Sequence, residues 1–172
     1  YARADPSELR AVVDILRTRY DIVLVDVSAG ISRETAVPLR FSDGVILATT
    51  PNRISLSDTA KTSQLAAGLG GDVLGSIVTR LTDADQLWDV REYLDVPTLG
   101  VIPNEDQISD TDDPITTTDT PAGQAYTALA GNPSRIIFDD EDPLDIEPVF
   151  EEWWVADEDD ESTEAETVEA DD

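Results

Sequence analysis

The sequence contains no cysteine, no histidine and no methionine, and Lys61 is its only lysine. Without cysteine, disulfide scaffolds and thiol catalysis are excluded, and the lack of histidine as well excludes the usual zinc sites. Histidine-based triads and histidine as a general base are excluded too. A translated chain begins with methionine, and its removal usually exposes a small residue. The large Tyr1 therefore leads us to expect the C-terminal part of a longer protein.

Basic residues are scarce: 11 arginines and lysines face 38 aspartates and glutamates, which gives a formal net charge of −27. Residues 139–172 hold 18 of the acids and no base, so residues 1–138 carry −9. Phosphate binding along a nucleic acid requires clustered Lys and Arg, so direct nucleic-acid binding by this chain is not expected. The longest apolar run is also far shorter than the ~20 residues that span a bilayer.

The acidity of the chain also bears on its surroundings. A surface of one charge sign repels itself unless salt screens it, and halophilic proteins use this balance. We therefore expect a cytoplasmic protein of a salt-rich cell, with an acidic bacterial cytosolic protein as the alternative. Beyond Val155 the chain is almost entirely Asp, Glu, Ser, Thr and Ala, a composition that predicts disorder.

Strand and helix patterns alternate along the first 138 residues. Short apolar runs rich in β-branched residues predict strands at 21–26, 44–50, 72–79 and 97–103. Helical spacing of apolar residues predicts helices that begin near Pro6 and at 33–40, 56–69, 84–94 and 121–131. This alternation is typical of an α/β fold with an open, mainly parallel sheet and helices on both faces. Ligands of such sheets bind beyond the carboxyl ends of the strands.

The first strand end carries the most promising chemistry, from Asp26 to Gly30. A carboxylate there can hold a water of Mg²⁺, and a glycine four residues later lets a backbone N–H approach a phosphate. An aspartate that caps the following turn, with Gly30 as a turn residue, explains the same pattern equally well. The glycine group at 68–75 lies after a helix and before a strand, the reverse of a pyrophosphate-binding turn.

Other acidic and aromatic groups favour structural interpretations. The aspartates at 83, 85, 110, 112 and 113 lack the EF-hand spacing and its central glycine, so a solvated surface is favoured over a calcium loop. Phe150, Trp153 and Trp154 are flanked by acids, which opposes anionic lipid. We expect these aromatic side chains to fold back onto the body.

Several segments, in unbroken order, resemble the MinD/ParA group of deviant P-loop ATPases, and most closely its MinD branch. YDIVLVDVSAG resembles the family's YDxxxxDxPAG, and VILATTPNRISLSD resembles VLLVTTPExxSxxD. GSIVTRL and VPTLGVIPNED resemble the family's (N/T)R strand and its VPxLGVIPED strand, and TPAGQAYTALA resembles SPAAQAYxxLA. The resemblance covers about residues 8–131 and implies a partial P-loop NTPase-type fold.

The resemblance also implies roles for individual residues, with ATP and Mg²⁺ as cofactors. Asp26 corresponds to the Walker B aspartate, which orders Mg²⁺ through water, and Gly30 to the switch II glycine near the γ-phosphate. Thr79, Arg80 and Pro103 lie where the family holds the adenine ring. Ser28 stands in place of the family's usual proline, which affects the stiffness of the switch and not the metal role.

Other family elements do not occur in these 172 residues. The Walker A loop, its signature lysine and the switch I aspartate precede the Walker B strand in the family, and no G-x-x-x-x-G-K-[ST] motif occurs here. An acidic tail stands where the family carries a basic, membrane-targeting helix. We therefore do not expect this chain alone to hydrolyse ATP.

The resemblance yields the following division and function. Residues 1–138 form the C-terminal portion of a nucleotide-binding domain, 139–155 an acidic and aromatic extension, and 156–172 a disordered tail. The function expected is spatial positioning, such as division-site placement or chromosome partitioning, by a protein that homodimerises with ATP and binds a protein partner or cargo. The alternative is a non-catalytic protein-binding module derived from the same fold.

Overall fold

The computed structural model describes residues 6–105, 115 and 119–150, and these form an α/β fold. Its one described sheet is parallel, with three strands in chain order: β1 (Val45–Thr49), β2 (Val73–Leu81) and β3 (Thr98–Pro103). The helices are α1 (Pro6–Arg17), α2 (Arg33–Leu39), α3 (Arg53–Gly68), α4 (Asp85–Leu94), α5 (Pro121–Leu129) and α6 (Gly131–Phe138). A 3₁₀ turn at Pro143–Asp145 follows them.

The sheet is covered on both faces, as the alternation of strands and helices predicts. On one face, Val78 and Val101 of the strands pack with apolar residues of α3 and α4. On the other face, Leu99 and Ile102 pack with α5 and α6. Every residue of β3 is buried, which is the pattern of a parallel strand with two covered faces. The α/β fold class and the strands predicted at 44–50, 72–79 and 97–103 are therefore confirmed.

The strand predicted at 21–26 is wrong in this structure. Residues 22–28 take part in no β-ladder of the described sheet, in which β1 is an outer strand. The side chain of Leu24 is 86% exposed, and those of Ile22 and Val25 are exposed as well. β-branched residues favour extended backbone, but a strand also needs a neighbouring strand to take its N–H and C=O groups. None of the described residues supplies one here.

Helix ends follow local capping chemistry. Helix α3 begins at Arg53, three residues earlier than predicted, because the Asn52 side chain accepts a hydrogen bond from the Ser55 N–H at 2.9 Å. Thr120 caps α5 in the same way, and Pro121 occupies its first turn. A separate helix, α6, follows where the pattern predicts none beyond residue 131.

The segment after α6 packs against the sheet. Ile146 is buried in the same cluster as Leu99, and Val149 forms a parallel bridge with Gly100 on the outer edge of β3. The N–H of Val101 donates to the carbonyl oxygen of Val149 at 3.1 Å. Phe150 packs against the clusters on both faces. The extension therefore covers the edge of β3.

Several predictions fall outside the described residues. These are the solvated aspartates at 110, 112 and 113, the aromatic pair Trp153 and Trp154, and the tail at 156–172. Among the helices that the structure does describe, none combines the length and the apolar character needed to cross a membrane.

Candidate functional site

An open cleft of about 220 Å³ lies at the carboxyl ends of β1 and β2. Thr50, Pro51 and Asn52, which connect β1 to α3, form one wall, and Arg80 and Gln86 form the other. This is the edge at which open α/β sheets bind ligands. Because whole-ligand pockets usually measure about 300–1,000 Å³, a cleft of this size suits one part of a larger molecule, such as a ring.

Arg80 owes its place in the cleft to an irregularity of β2. Its φ is +59°, in the left-handed region that non-glycine residues seldom adopt. The pairing of β2 with β3 shifts at the same point, between Thr79 and Leu81. Leu81 is thereby fully buried while Arg80 is exposed. Strained backbone of this kind clusters at functional sites, and an irregularity in a strand can redirect a side chain.

Thr79 and Pro103 do not line the cleft. The Thr79 hydroxyl donates to the carbonyl oxygen of Thr49, 3.2 Å away, and so joins the ends of β1 and β2. Pro103 is buried and pairs with Leu81 at the end of β3. The structure therefore brings Thr79, Arg80 and Pro103 to one edge of the sheet, and exposes only the side chain of Arg80 there.

Two cleft residues, Asn52 and Gln86, are not among the site residues predicted from the sequence. The Asn52 side chain donates to the Thr50 hydroxyl at 2.6 Å and also caps α3. The Gln86 amide contacts Thr82 through both its ends, and its oxygen accepts from the Thr82 N–H at 3.3 Å. Asn52 follows the strand predicted at 44–50, and the rule that ligands bind beyond strand ends could have pointed to it. Gln86 lies on α4, and no pattern pointed to it.

The second predicted group lies in the loop between the extended segment 22–28 and α2. Gly30 has a φ of +115°, which only glycine adopts readily, so its place in a tight turn has a clear reason. Its N–H donates to the hydroxyl of Thr62 on α3 at 3.1 Å. Fully buried Thr35 holds the same loop from α2, because its hydroxyl donates to the carbonyl oxygen of Ser28 at 3.1 Å.

Asp26 is exposed and lies in the extended segment, not at the end of a strand of the sheet. No group of three or more acidic side chains able to hold a metal ion occurs within residues 6–105 and 119–150. A lone carboxylate suits a contact to Mg²⁺ through a bound water better than direct coordination, because Mg²⁺ keeps much of its water shell in proteins. The exposed carboxylate of Asp26 is compatible with the water-mediated role that the resemblance implies.

Chemically, the two groups are complementary. The cleft offers a guanidinium, two side-chain amides and a proline face, which together can stack on a flat ring and hydrogen-bond to its edge. Residues 26–30 offer the exposed carboxylate of Asp26 to a hydrated cation, while the N–H of Gly30 is bonded to Thr62. Helix α3 connects them, since its N-terminus borders the cleft and Thr62 contacts Gly30.

The chain is similar in sequence to ATP-binding proteins and to septum site-determining proteins. The chain is 30% identical over 138 residues to an uncharacterised ATP-binding protein of Methanocaldococcus jannaschii, a match that covers 76% of this chain and 52% of the relative. It is 28% identical over 109 residues to a protein named as the septum site-determining protein MinD of Emiliania huxleyi, covering 59% and 40% of the two chains. The chain thus spans about half the length of the curated relatives it matches, or less. No protein-family model matches the sequence.

Solved structures agree with the sequence relatives. The septum site-determining protein MinD of Pyrococcus horikoshii, solved with Mg-ADP, superposes with a TM-score of 0.69 at 26% identity. That superposition covers 80% of this chain and 60% of the other. The cell-division ATPase MinD of Pyrococcus furiosus gives a TM-score of 0.68 at 24% identity over 77% of this chain, which shows the shared fold.

Proposed function

Since this chain belongs to the MinD/ParA family, we propose that it is the C-terminal part of an ATPase that positions cellular machinery through ATP-dependent dimerisation. The machinery would be that of division-site placement or, alternatively, of chromosome partitioning or another cargo. The named relative and the superposed proteins are septum-site and cell-division proteins, which favours the first. Residues 1–138 would supply part of the nucleotide-binding domain, and a protein partner would bind the assembled dimer.

The observation that carries the proposal is the placement of Arg80. A strained backbone aims an exposed guanidinium into a cleft at the carboxyl edge of a parallel sheet. A guanidinium stacks well on an aromatic ring, and the nearby amides of Asn52 and Gln86 can donate to and accept from the edge of a base. We therefore assign the cleft to the adenine ring, with Arg80 in contact and Thr79 and Pro103 as its support.

The phosphate end of the nucleotide would lie towards Asp26 and Gly30. Asp26 would hold a water of the Mg²⁺ ion, which neutralises charge on the phosphates. The Gly30 N–H would donate to a phosphate oxygen. A Cβ at Gly30 would meet nothing within 4 Å, so the space beside this turn is open. The main phosphate-cradling loop does not occur in these 172 residues. The residues present thus fit the base and the hydrated metal.

The test uses the natural protein that contains this chain, with variants Asp26→Asn and Arg80→Ala. In Mg-ATP the wild-type protein should form dimers, and in Mg-ADP monomers, as measured by light scattering after gel filtration. Asp26→Asn is nearly isosteric and should lower Mg-dependent hydrolysis at least tenfold with little change in melting temperature. Arg80→Ala should weaken binding of ATP and ADP alike, because both carry the ring.

Asp21→Asn is the matched control, because Asp21 is also exposed and precedes the same extended segment. Its hydrolysis should equal that of the wild type. If the protein binds no ATP and its measured mass is the same with and without nucleotide, the proposal is overturned and a non-catalytic binding module is favoured. If Asp26→Asn hydrolyses ATP like the wild type, the alternative that Asp26 caps a turn is supported instead.

A further inference from the structure

One hydrogen bond joins the loop at 28–32 to helix α3. The N–H of Gly30 donates to Oγ1 of Thr62, and the two residues are 32 positions apart in sequence. The Thr62 hydroxyl in turn donates its proton to the carbonyl oxygen of Asp58 at 3.0 Å, one helical turn earlier. The backbone N–H of Gly30 can only donate, and the Thr62 hydroxyl, whose single proton is used on Asp58, accepts it.

The rest of the loop is fixed on a different helix. Thr35 of α2 donates to the carbonyl oxygen of Ser28, and Ser32 caps α2 by accepting from the Thr35 N–H at 3.2 Å. Gly30 is half-buried between these contacts and Thr62. The loop therefore has a firm attachment to α2 and a separate, single attachment to α3 through one amide.

We propose that Thr62 is a positioning residue that holds the Gly30 amide and releases it to an anionic phosphate oxygen. This inference rests on the proposed function. A single N–H aimed at Thr62 cannot make a second good bond, so an anion must displace the hydroxyl. The exchange is favourable because a hydrogen bond to a charged oxygen is about twice as strong as one to a neutral hydroxyl. Release of Thr62 frees α3 from the loop.

This exchange couples the two parts of the site. The N-terminus of α3 borders the cleft through Asn52, and the middle of the same helix bears Thr62. A ligand that fills the cleft contacts the first turn, and an anion at Gly30 detaches the third. Breaking the Gly30–Thr62 bond costs free energy. This cost lowers the affinity for any nucleotide whose terminal phosphate reaches Gly30 and leaves the affinity for shorter nucleotides unchanged. Thr62 thus sets the relative affinity for ATP and ADP.

The first experiment measures the amide hydrogen exchange of Gly30 by NMR in this 172-residue chain. Thr62→Val keeps the shape of the side chain and removes the hydroxyl, and should speed exchange of the Gly30 amide about tenfold or more. Thr62→Ser restores the hydroxyl and should exchange like the wild type. Thr127→Val is the matched control, because Thr127 also donates to the carbonyl oxygen four residues earlier, at 3.0 Å. Unchanged exchange at Gly30 in Thr62→Val overturns the proposal.

The second experiment measures nucleotide affinity in the natural protein that contains this chain. Thr62→Val should bind Mg-ATP about two- to tenfold more tightly than the wild type, the range of one net hydrogen bond, with Mg-ADP affinity unchanged. Thr62→Ser and Thr127→Val should match the wild type. If the wild type binds ATP and Thr62→Val binds it no more tightly, the inference fails while the proposed function stands. If the wild type binds no ATP, both fail.

Discussion

The side-chain Nδ2 of Asn132 lies 2.6 Å from the carbonyl oxygen of Leu99 and 3.1 Å from that of Glu147. Asn132 is buried on α6, Leu99 belongs to β3, and Glu147 belongs to the segment that runs along the edge of that strand. One amide therefore holds the helix, the sheet and the extension together. The contact with Leu99 is buried, and a buried carbonyl oxygen without a donor lowers stability measurably.

Asn132→Leu should lower the free energy of unfolding by about 1–3 kcal/mol, because it leaves the buried carbonyl oxygen of Leu99 without its donor. Urea denaturation followed by circular dichroism measures the change. Ser134→Ala is the control on the same helix, since exposed Ser134 donates only to the carbonyl oxygen of Ala130, and its effect should stay within about 0.5 kcal/mol. Equal effects of the two variants would contradict a structural role for the Asn132 amide.

Arg80→Gly should raise the free energy of unfolding by up to about 1 kcal/mol, because glycine adopts the left-handed backbone of this position without steric cost. The same variant in the natural protein should bind Mg-ATP more weakly. Asp95→Gly is the matched control: its φ is +50°, it ends α4, and it lies outside the cleft. It should gain similar stability and keep its nucleotide affinity. A destabilised Arg80→Gly would show that the side chain serves the fold.

The 172-residue chain alone should release no measurable phosphate from Mg-ATP. Catalysis of phosphoryl transfer depends on positioning and neutralising the phosphates, and the sequence has no glycine-rich loop with a lysine to do so. Phosphate release is measured in high salt with purified chain. A turnover that Asp26→Ala abolishes would refute this prediction, because it would require a complete catalytic site within these residues.

The folded body should need salt for stability whether or not the acidic tail is present. Charges at fixed positions on a folded surface repel one another until salt screens them, over a Debye length of ~8 Å at physiological ionic strength. Thermal melting of the full chain and of a chain ending at Val155 should therefore rise in parallel from low salt to molar KCl. If truncation alone stabilised the protein at low salt, the tail would be the source of the repulsion.

How far the sequence predicts this fold can be seen from its strands. The strand containing Val78 and the fully buried strand Thr98–Pro103 are readable as apolar runs because each has neighbours on both faces. The run around Leu24 has the same composition but no ladder in the described sheet. Composition reports the preference of a segment for extended backbone, whereas pairing depends on which other segments are there to pair with.

The site residues also fall into those that the sequence indicates and those that only the fold brings into place. Arg80 and Gly30 are local signals, an arginine at a strand end and a glycine in a turn, and the sequence points to both. Thr62 and Gln86 act through contacts with residues that the fold brings near, and their own neighbours in sequence carry no sign of this. Helix α6 escaped prediction because Gly131 and Pro133 resemble a helix end, although proline is well tolerated in a first turn.

The pairing of Val149 with the outer edge of β3 has a consequence for how the chain is made. A ribosome adds about 5–20 residues per second, so several seconds separate the emergence of β3 from that of its covering segment. During that interval the edge of β3 is open to other strands, which makes it a site of misassembly on crowded ribosomes. Asn132 emerges within the same interval and can engage Leu99 first. The final closure of the edge then completes an already anchored helix.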